Sequence, residues 1–204
     1  ACAKLDRFKP KKHLLKSITF ALVEEIGLIS PIQRIEDSIL DKKGISLFIK
    51  RDDLIHPKVQ GNKWRKMKYN MEAAIDTKHS ALLTFGGYYS NHIYATAAAA
   101  NMFGLKSIGV IRGEKPIALG PTLRFAQTSG MQLKFISRAD YKLKDSPTFV
   151  EKLRDEFGDF YLVPEGGTNL LALKGVAEIV DEIDIEYDLI CTSVGTGGTL
   201  AGLT

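Results

Sequence analysis

The chain has 204 residues, 45% of them hydrophobic and 25% charged, with a net charge of +4. That is the composition of a globular domain long enough to bury its own core. No apolar run reaches the roughly 18 residues a membrane span needs, and the basic residues are not interleaved with aromatics as on a nucleic-acid surface. The two cysteines, Cys2 and Cys191, lie far apart and outside any CxxC or Cys/His cluster, so neither a disulfide framework nor a structural zinc site is supported. With no secretory signal visible, the expected location is cytoplasmic. Lys9, Lys11, Lys12 and Lys16 read as a solvated arm or helix face, and Cys191, inside an apolar run, as a small core residue.

Short apolar runs then alternate with helical patterns. Leu47-Phe48-Ile49 reads as a strand. From Asn62 to Ile75, residues Trp64, Met67, Met71, Ala74 and Ile75 recur at helical spacing. Ala81 to Phe85 is a strand closed by Gly86-Gly87, and an alanine-rich helix follows from Asn91 to Phe103. Next come strand Ser107–Ile111, helix Pro121–Ser129, strand Gln132–Ile136, helix Pro147–Phe157 and strand Phe160–Val163. Helix Leu170–Ile183 and strand Asp188–Val194 lead into Gly195-Thr196-Gly197-Gly198-Thr199. This alternation predicts an α/β fold, a parallel twisted sheet with helices on both faces. Ligands of such sheets bind at the carboxyl ends of strands. The segments Gly86–His92, Pro164–Asn169 and Gly195–Thr199 all fall at such ends.

Three segments carry chemistry, each with a plainer alternative. Residues Gly195, Thr196, Gly197, Gly198 and Thr199 can cradle an anion on backbone N–H groups and hydroxyls, or form a tight turn without a ligand. The loop lacks the Gly-Lys-Ser/Thr of a P-loop, and Leu200 stands where a dinucleotide fingerprint needs its third glycine. Lys63, in Gly61-Asn62-Lys63-Trp64-Arg65-Lys66, sits where a loop enters a helix, beside Arg65 and Lys66. Those positive neighbours would lower its amine pKa, as covalent capture of a carbonyl requires; the alternative is a solvated lysine. In Gly86-Gly87-Tyr88-Tyr89-Ser90-Asn91-His92, a double glycine and Ser-Asn at a helix start suit a carboxylate or phenolate. Alternatively Ser90 or Asn91 only caps the helix and His92 is a surface histidine. No G-x-S-x-G elbow is present, so Ser90 is not marked as a hydrolase serine.

Taken in order, Gly-Asn-Lys, Gly-Gly-x-x-Ser-Asn-His, Pro-x-Gly-Gly-x-Asn and Gly-Thr-Gly-Gly-Thr-x-Ala-Gly resemble the 1-aminocyclopropane-1-carboxylate deaminase / D-cysteine desulfhydrase family. These are tryptophan-synthase-β-like enzymes of fold type II that use pyridoxal 5'-phosphate (PLP). Lys50-Arg51-Asp52-Asp53 fits too, and the resemblance runs from about Ile29 onward. It implies that Lys63 holds PLP covalently and later moves substrate protons. It implies that Asn91 hydrogen-bonds the cofactor's phenolic oxygen, that Ser90 and nearby N–H groups take the substrate carboxylate, and that His92 lines the site. Gly195 to Thr199 would hold the phosphate. Tyr89 stands where the family often has glutamine, and His92 resembles the desulfhydrase branch more than the deaminase branch; both would border the substrate.

The implied architecture has two domains. Residues 1–64 and 164–204 would form parts of a larger domain and 65–163 a smaller one, with PLP in the cleft between them. The chain stops at Thr204, where the helix after the glycine-rich turn has just begun. The resemblance implies further strands and helices beyond that point, with the partner of the pyridine nitrogen. The expected activity is that of a deaminase or lyase releasing ammonia and a 2-oxo acid. From D-cysteine, Lys63 would remove the Cα proton, sulfide would leave, and pyruvate and ammonia would result. From 1-aminocyclopropane-1-carboxylate, ring opening would give 2-oxobutanoate and ammonia. Homodimers are expected, with no nucleic-acid or membrane partner. Two other readings stay open: a truncated, non-catalytic member of the family, and a nucleotide-binding α/β module.

Overall fold

The computed structural model describes residues 29–204; Cys2 and the basic stretch from Lys9 to Lys16 lie outside the described residues. Strands β1 (Ile32–Ile35) and β2 (Leu47–Lys50) form a small antiparallel pair with Gln33 opposite Ile49. Helix α1 (Ser38–Lys42) joins them, its N-terminus capped by the Asp37 carboxylate, which accepts from Ile39 N–H at 2.7 Å. A short 3-10 turn, Asp52–Leu54, then leads to α2 (Asn62–Asp76).

Four parallel strands form the main sheet: β3 (Ala81–Gly86), β4 (Lys106–Arg112), β5 (Met131–Ile136) and β6 (Tyr161–Val163), in the order β5-β4-β3-β6. Every residue of β3 is buried, as a central strand covered on both faces should be. Side chains alternate across the strand. Leu82 therefore joins Trp64, Met67, Met71 and Val163 under α2 and α3 (Asn91–Met102), while Leu83 and Phe85 join Leu153 and Phe160 under α6 (Pro147–Phe157). Each large apolar side chain fully buried this way contributes about 1.5–3 kcal/mol. Ala95, Ala97, Ala98, Ala99 and Ala100 are all buried. Their small volume lets α3 lie between the sheet and α2. A third cluster, with Ile93, Ile111, Leu123 and Met131, seats α4 (Pro121–Thr128) on the sheet. The remaining helices are α5 (Arg138–Tyr141), α7 (Leu170–Asp181) and α8 (Gly198–Leu203).

The strand expected over Asp188–Val194 does not form; the segment is irregular, with Leu189 and Val194 exposed. A strand needs a neighbour to take its backbone N–H and C=O groups, and no strand of the described residues pairs with it. Cys191 is consequently exposed and not a core residue.

From β3 the chain builds outward through β4 to β5, then returns to add β6 on the other side of β3. Such a reversal opens a crevice at the carboxyl ends of the two strands where the order switches. The loop after β3 carries Ser90-Asn91-His92 and the loop after β6 carries Pro164 to Asn169, so two of the three segments singled out above meet at that crevice.

Candidate active site

The first turn of α2 forms one wall. Lys63 and Lys66 are three residues apart, so they share a helix face, and both line the cleft. The Lys63 amine is half-buried, has no hydrogen-bond partner among the described residues, and is held below the usual lysine range by burial. Lys66 is only 1% exposed. Its Nζ lies 3.3 Å from the Gly166 carbonyl and 3.3 Å from Thr168 Oγ1, with no carboxylate among the described residues to neutralise it. Burial, reinforced by the charge of Lys63, lowers it to about 8.

Arg65 plays a different part from the one its position suggested. Its guanidinium turns away from the cleft to Asp52 at 2.9 Å and Glu182 at 2.8 Å, and Glu182 also takes Lys50 at 2.8 Å. Burial therefore lowers the Lys63 pKa, without a contribution from Arg65.

The second wall is the loop after β3. Ser90 caps α3, its Oγ accepting from Ile93 N–H at 3.3 Å, and Gly86 is forced by this geometry because a Cβ there would sit 2.8 Å from Ser90 Oγ. Ser90, Asn91 and His92 all line the cleft. Tyr89, expected at the substrate, does not: the tight Gly87–Ser90 turn throws it outward, 79% exposed, with its ring towards Gly120.

His92 is not a surface histidine but is 2% exposed. Thr84 Oγ1 donates its single proton to the Val163 carbonyl at 2.8 Å, so its lone pair accepts from His92 Nε2–H, also at 2.8 Å. That network assigns the neutral tautomer with a bare Nδ1, and Nδ1 is buried without a partner among the described residues. Burial first, then the charges of Lys63 and Lys66, push His92 down to about 3. In the unfolded chain it takes its proton near the ordinary histidine value of about 6.5. As pH falls from there towards 3, the unfolded state binds a proton the folded state refuses, and stability drops. Urea midpoints at pH 7 and pH 4.5 should show His92→Gln losing about 2–3 kcal/mol less than the parent across that interval.

The third wall joins Glu165-Gly166-Gly167-Thr168 to the loop 195–199. Gly166 and Gly167 both have positive φ, at 69° and 72°. A Cβ on Gly166 would also lie 2.6 Å from Thr196 Cγ2, and one on Gly167 3.1 Å from His92 Cε1. Thr168 and Thr196 share a hydrogen bond at 2.7 Å, and Thr199 Oγ1 accepts from Asn62 Nδ2 at 2.7 Å. Gly195, Thr196, Gly197 and Thr199 line the cleft. Gly198 is buried behind them, where a Cβ would meet Thr168 Oγ1 at 2.6 Å and Lys66 Nζ at 2.9 Å.

These walls enclose a cleft of 340 Å³, the size of a small-ligand site. One side presents the N–H groups that open α8, the hydroxyls of Thr196 and Thr199 and a buried ammonium, which together suit a phosphate. The same cleft holds the Lys63 amine and the His92 imidazole Nδ1, both without a partner among the described residues. The residues present thus fit a cofactor with both an anionic group and a carbonyl. Lys66, Thr168 and Thr84 were missed in the sequence. Lys66 carried a signal in its three-residue spacing from Lys63, whereas the two threonines carried none.

Replacing Lys66 by Met separates ligand binding from stability. A buried ammonium without a carboxylate destabilises the empty protein, so Lys66→Met should raise the urea midpoint. The same change should weaken phosphate or PLP binding roughly 10- to 100-fold by removing a charge-assisted contact. In the parent, affinity should fall as pH rises through about 8 and the ammonium is lost; the variant should lack that break.

A half-buried amine sharing a cleft with an anion cradle at the switch point of a parallel sheet is the layout of an α/β enzyme built around a phosphorylated carbonyl cofactor. The chain belongs to the pyridoxal-phosphate dependent enzyme family, whose sequence profile matches residues 29–204. It is similar to a Thermotoga maritima protein, provisionally a 1-aminocyclopropane-1-carboxylate deaminase, with 35% identity over 86% of this chain and 58% of that one. It is also 34% identical to the mitochondrial bifunctional D-cysteine desulfhydrase/1-aminocyclopropane-1-carboxylate deaminase of Arabidopsis thaliana, over 93% of this chain and 51% of the relative. The crystal structure of a homologue of 1-aminocyclopropane-1-carboxylate deaminase superposes with a TM-score of 0.74 at 30% identity, covering 91% of this chain and 60% of that one. The chain therefore spans between half and two thirds of the length of these relatives.

Proposed function

We propose that the chain forms the cofactor-holding part of a PLP-dependent lyase or deaminase that releases ammonia and a 2-oxo acid from a small amino acid. The observation that carries this reading is the Lys63 amine, lowered in pKa and without a partner among the described residues, in a cleft also lined by residues suited to a phosphate. Bound there, PLP would supply an electron-withdrawing ring that delocalises negative charge developing at the substrate Cα. In this reading Lys63 holds the cofactor and moves the Cα proton. Ser90, with the N–H groups at the start of α3, takes the substrate carboxylate, and Asn91 orients the cofactor. Lys66 and the hydroxyls of Thr196 and Thr199 hold the phosphate, with the N–H groups from Gly195 to Thr199, and Thr168 positions Lys66 and Thr196. The cleft would lie between the part comprising 65–163 and the part comprising 1–64 and 164–204.

His92 favours D-cysteine over 1-aminocyclopropane-1-carboxylate. Its bare Nδ1 is an acceptor in a wall otherwise rich in donors, and an acceptor suits a substrate bearing a thiol proton. Sulfide and pyruvate from D-cysteine would support this preference, whereas 2-oxobutanoate from 1-aminocyclopropane-1-carboxylate would favour the deaminase. Turnover of neither by the full-length protein would overturn the substrate assignment. A homodimer and a cytoplasmic location follow from the family resemblance, and light scattering tests the first.

A further inference from the structure

A second cleft, of 510 Å³, opens beside the first at the carboxyl ends of β4 and β5. Arg112, Arg138, Tyr141, Lys142, Lys144 and Glu165 line it, and Glu165 borders both clefts. Four cations face one carboxylate. Lys144 is already paired, with Asp145 at 3.0 Å and Glu165 at 3.6 Å. Arg112, Arg138 and Lys142 have no carboxylate partner among the described residues. The cleft therefore retains a net positive charge that no described side chain neutralises.

Tyr141 shows that this is more than a cluster of surface cations. Its ring is anchored edge-on against Phe85 in the core and flanked by Arg112 and Lys144, each 5.5 Å from its centroid. The residue is only 4% exposed; its hydroxyl makes no well-formed hydrogen bond among the described residues, and burial, with the nearby Glu165 carboxylate, raises its pKa. A buried donor is normally satisfied, and leaving it unmade costs free energy. A ligand oxygen in the cleft would accept from it while the guanidinium groups pair with the ligand's charge.

We propose that this cleft is an anion subsite, distinct from the phosphate cradle, for a small molecule bearing a carboxylate or phosphate group. Its concave shape and volume suit a small ligand. Arg112 and Arg138 supply planar donors suited to either group, and Tyr141 supplies the directional bond. Through Glu165 the subsite adjoins the cleft of Lys63, so an anion held here stands next to whatever occupies that cleft. The proposal does not depend on the PLP reading.

Calorimetric titration with inorganic phosphate and, separately, acetate tests it on the protein with and without PLP. Both arginines are exposed, so the double variant Arg112→Gln/Arg138→Gln should keep its fold, which circular dichroism checks. The parent is expected to bind at least one anion saturably, and the double variant at least about tenfold more weakly. Tyr141→Phe should weaken binding about tenfold through loss of one bond to a charged acceptor. Lys66→Met should leave this site unchanged while losing the phosphate cradle, which keeps the two sites separable. Tighter acetate binding would assign a carboxylate ligand, tighter phosphate binding a phosphorylated one. Identical isotherms for parent and double variant, or no saturable binding outside the cradle, would overturn the proposal.

Discussion

Lys63→Ala should abolish the visible absorption band that the parent develops with PLP, and should reduce turnover by at least about 10³-fold, the range spanned by loss of a nucleophile and a proton-transfer group together. Borohydride reduction of the loaded parent, followed by peptide mapping, should place the cofactor on Lys63. Lys66 is the competing amine, since burial lowers its pKa too. The two differ in what surrounds them. Lys66 Nζ is packed between the Gly166 carbonyl and Thr168, whereas Lys63 Nζ has no partner among the described residues and is only half-buried. A band that survives in Lys63→Ala and vanishes in Lys66→Met would reverse the assignment. A band absent from the parent, even in a longer form of the protein, would remove the cofactor reading altogether.

Gly175→Ala should destabilise the protein by about 3 kcal/mol or more, although helix propensity alone favours alanine by about 1 kcal/mol. Gly175 lies on α7 where that helix meets α2, and a Cβ there would overlap the Arg65 carbonyl oxygen. No rotamer can relieve a clash between a Cβ and a backbone atom, so the helices must separate. Separation would also strain the polar ties between them, Lys68 to Glu178 at 3.0 Å and Asn169 to Asn70 at 2.7 Å. Because α2 carries Lys63 and Lys66, the variant should bind PLP more weakly as well as unfolding at lower urea. A rise in the midpoint would show that the helices are not in contact as described.

The main sheet was legible in the sequence because its strands are short apolar runs bounded by glycine, and its helices carry three-and-four spacing. β1 was not legible: Ile32-Gln33-Arg34-Ile35 has apolar residues only at its ends, and no turn signal marks it. The segment Asp188–Val194 misled in the opposite direction, because an apolar run reports hydrophobicity but not the presence of a pairing neighbour. The positions of Lys63, Asn91 and the glycine-rich loop were visible through motif order. The direction of side chains was not. Tyr89 and Arg65 adjoin cleft residues in sequence and point away from the cleft in space, since a tight turn and a helix each rotate neighbouring side chains apart. Thr84 was hidden inside an apolar strand, and only the sheet register reveals that it faces His92.

Helix α7 touches both halves of the site. Gly175 lets it press on α2, and on the other side Val176 lies 2.6 Å from where a Cβ of Gly202 in α8 would be. The gap between Lys63 and the glycine-rich loop is thus fixed by direct helix-to-helix contact, while the entire parallel sheet is a detour of chain between those supports. Insertions or deletions within that detour, such as in the connection from Gly113 to Gly120 at its rim, would leave the gap unaltered, because closing a longer surface loop costs little. Changes in the length of that connection can therefore be absorbed at the rim of the sheet while the spacing between Lys63 and the glycine-rich loop stays as it is.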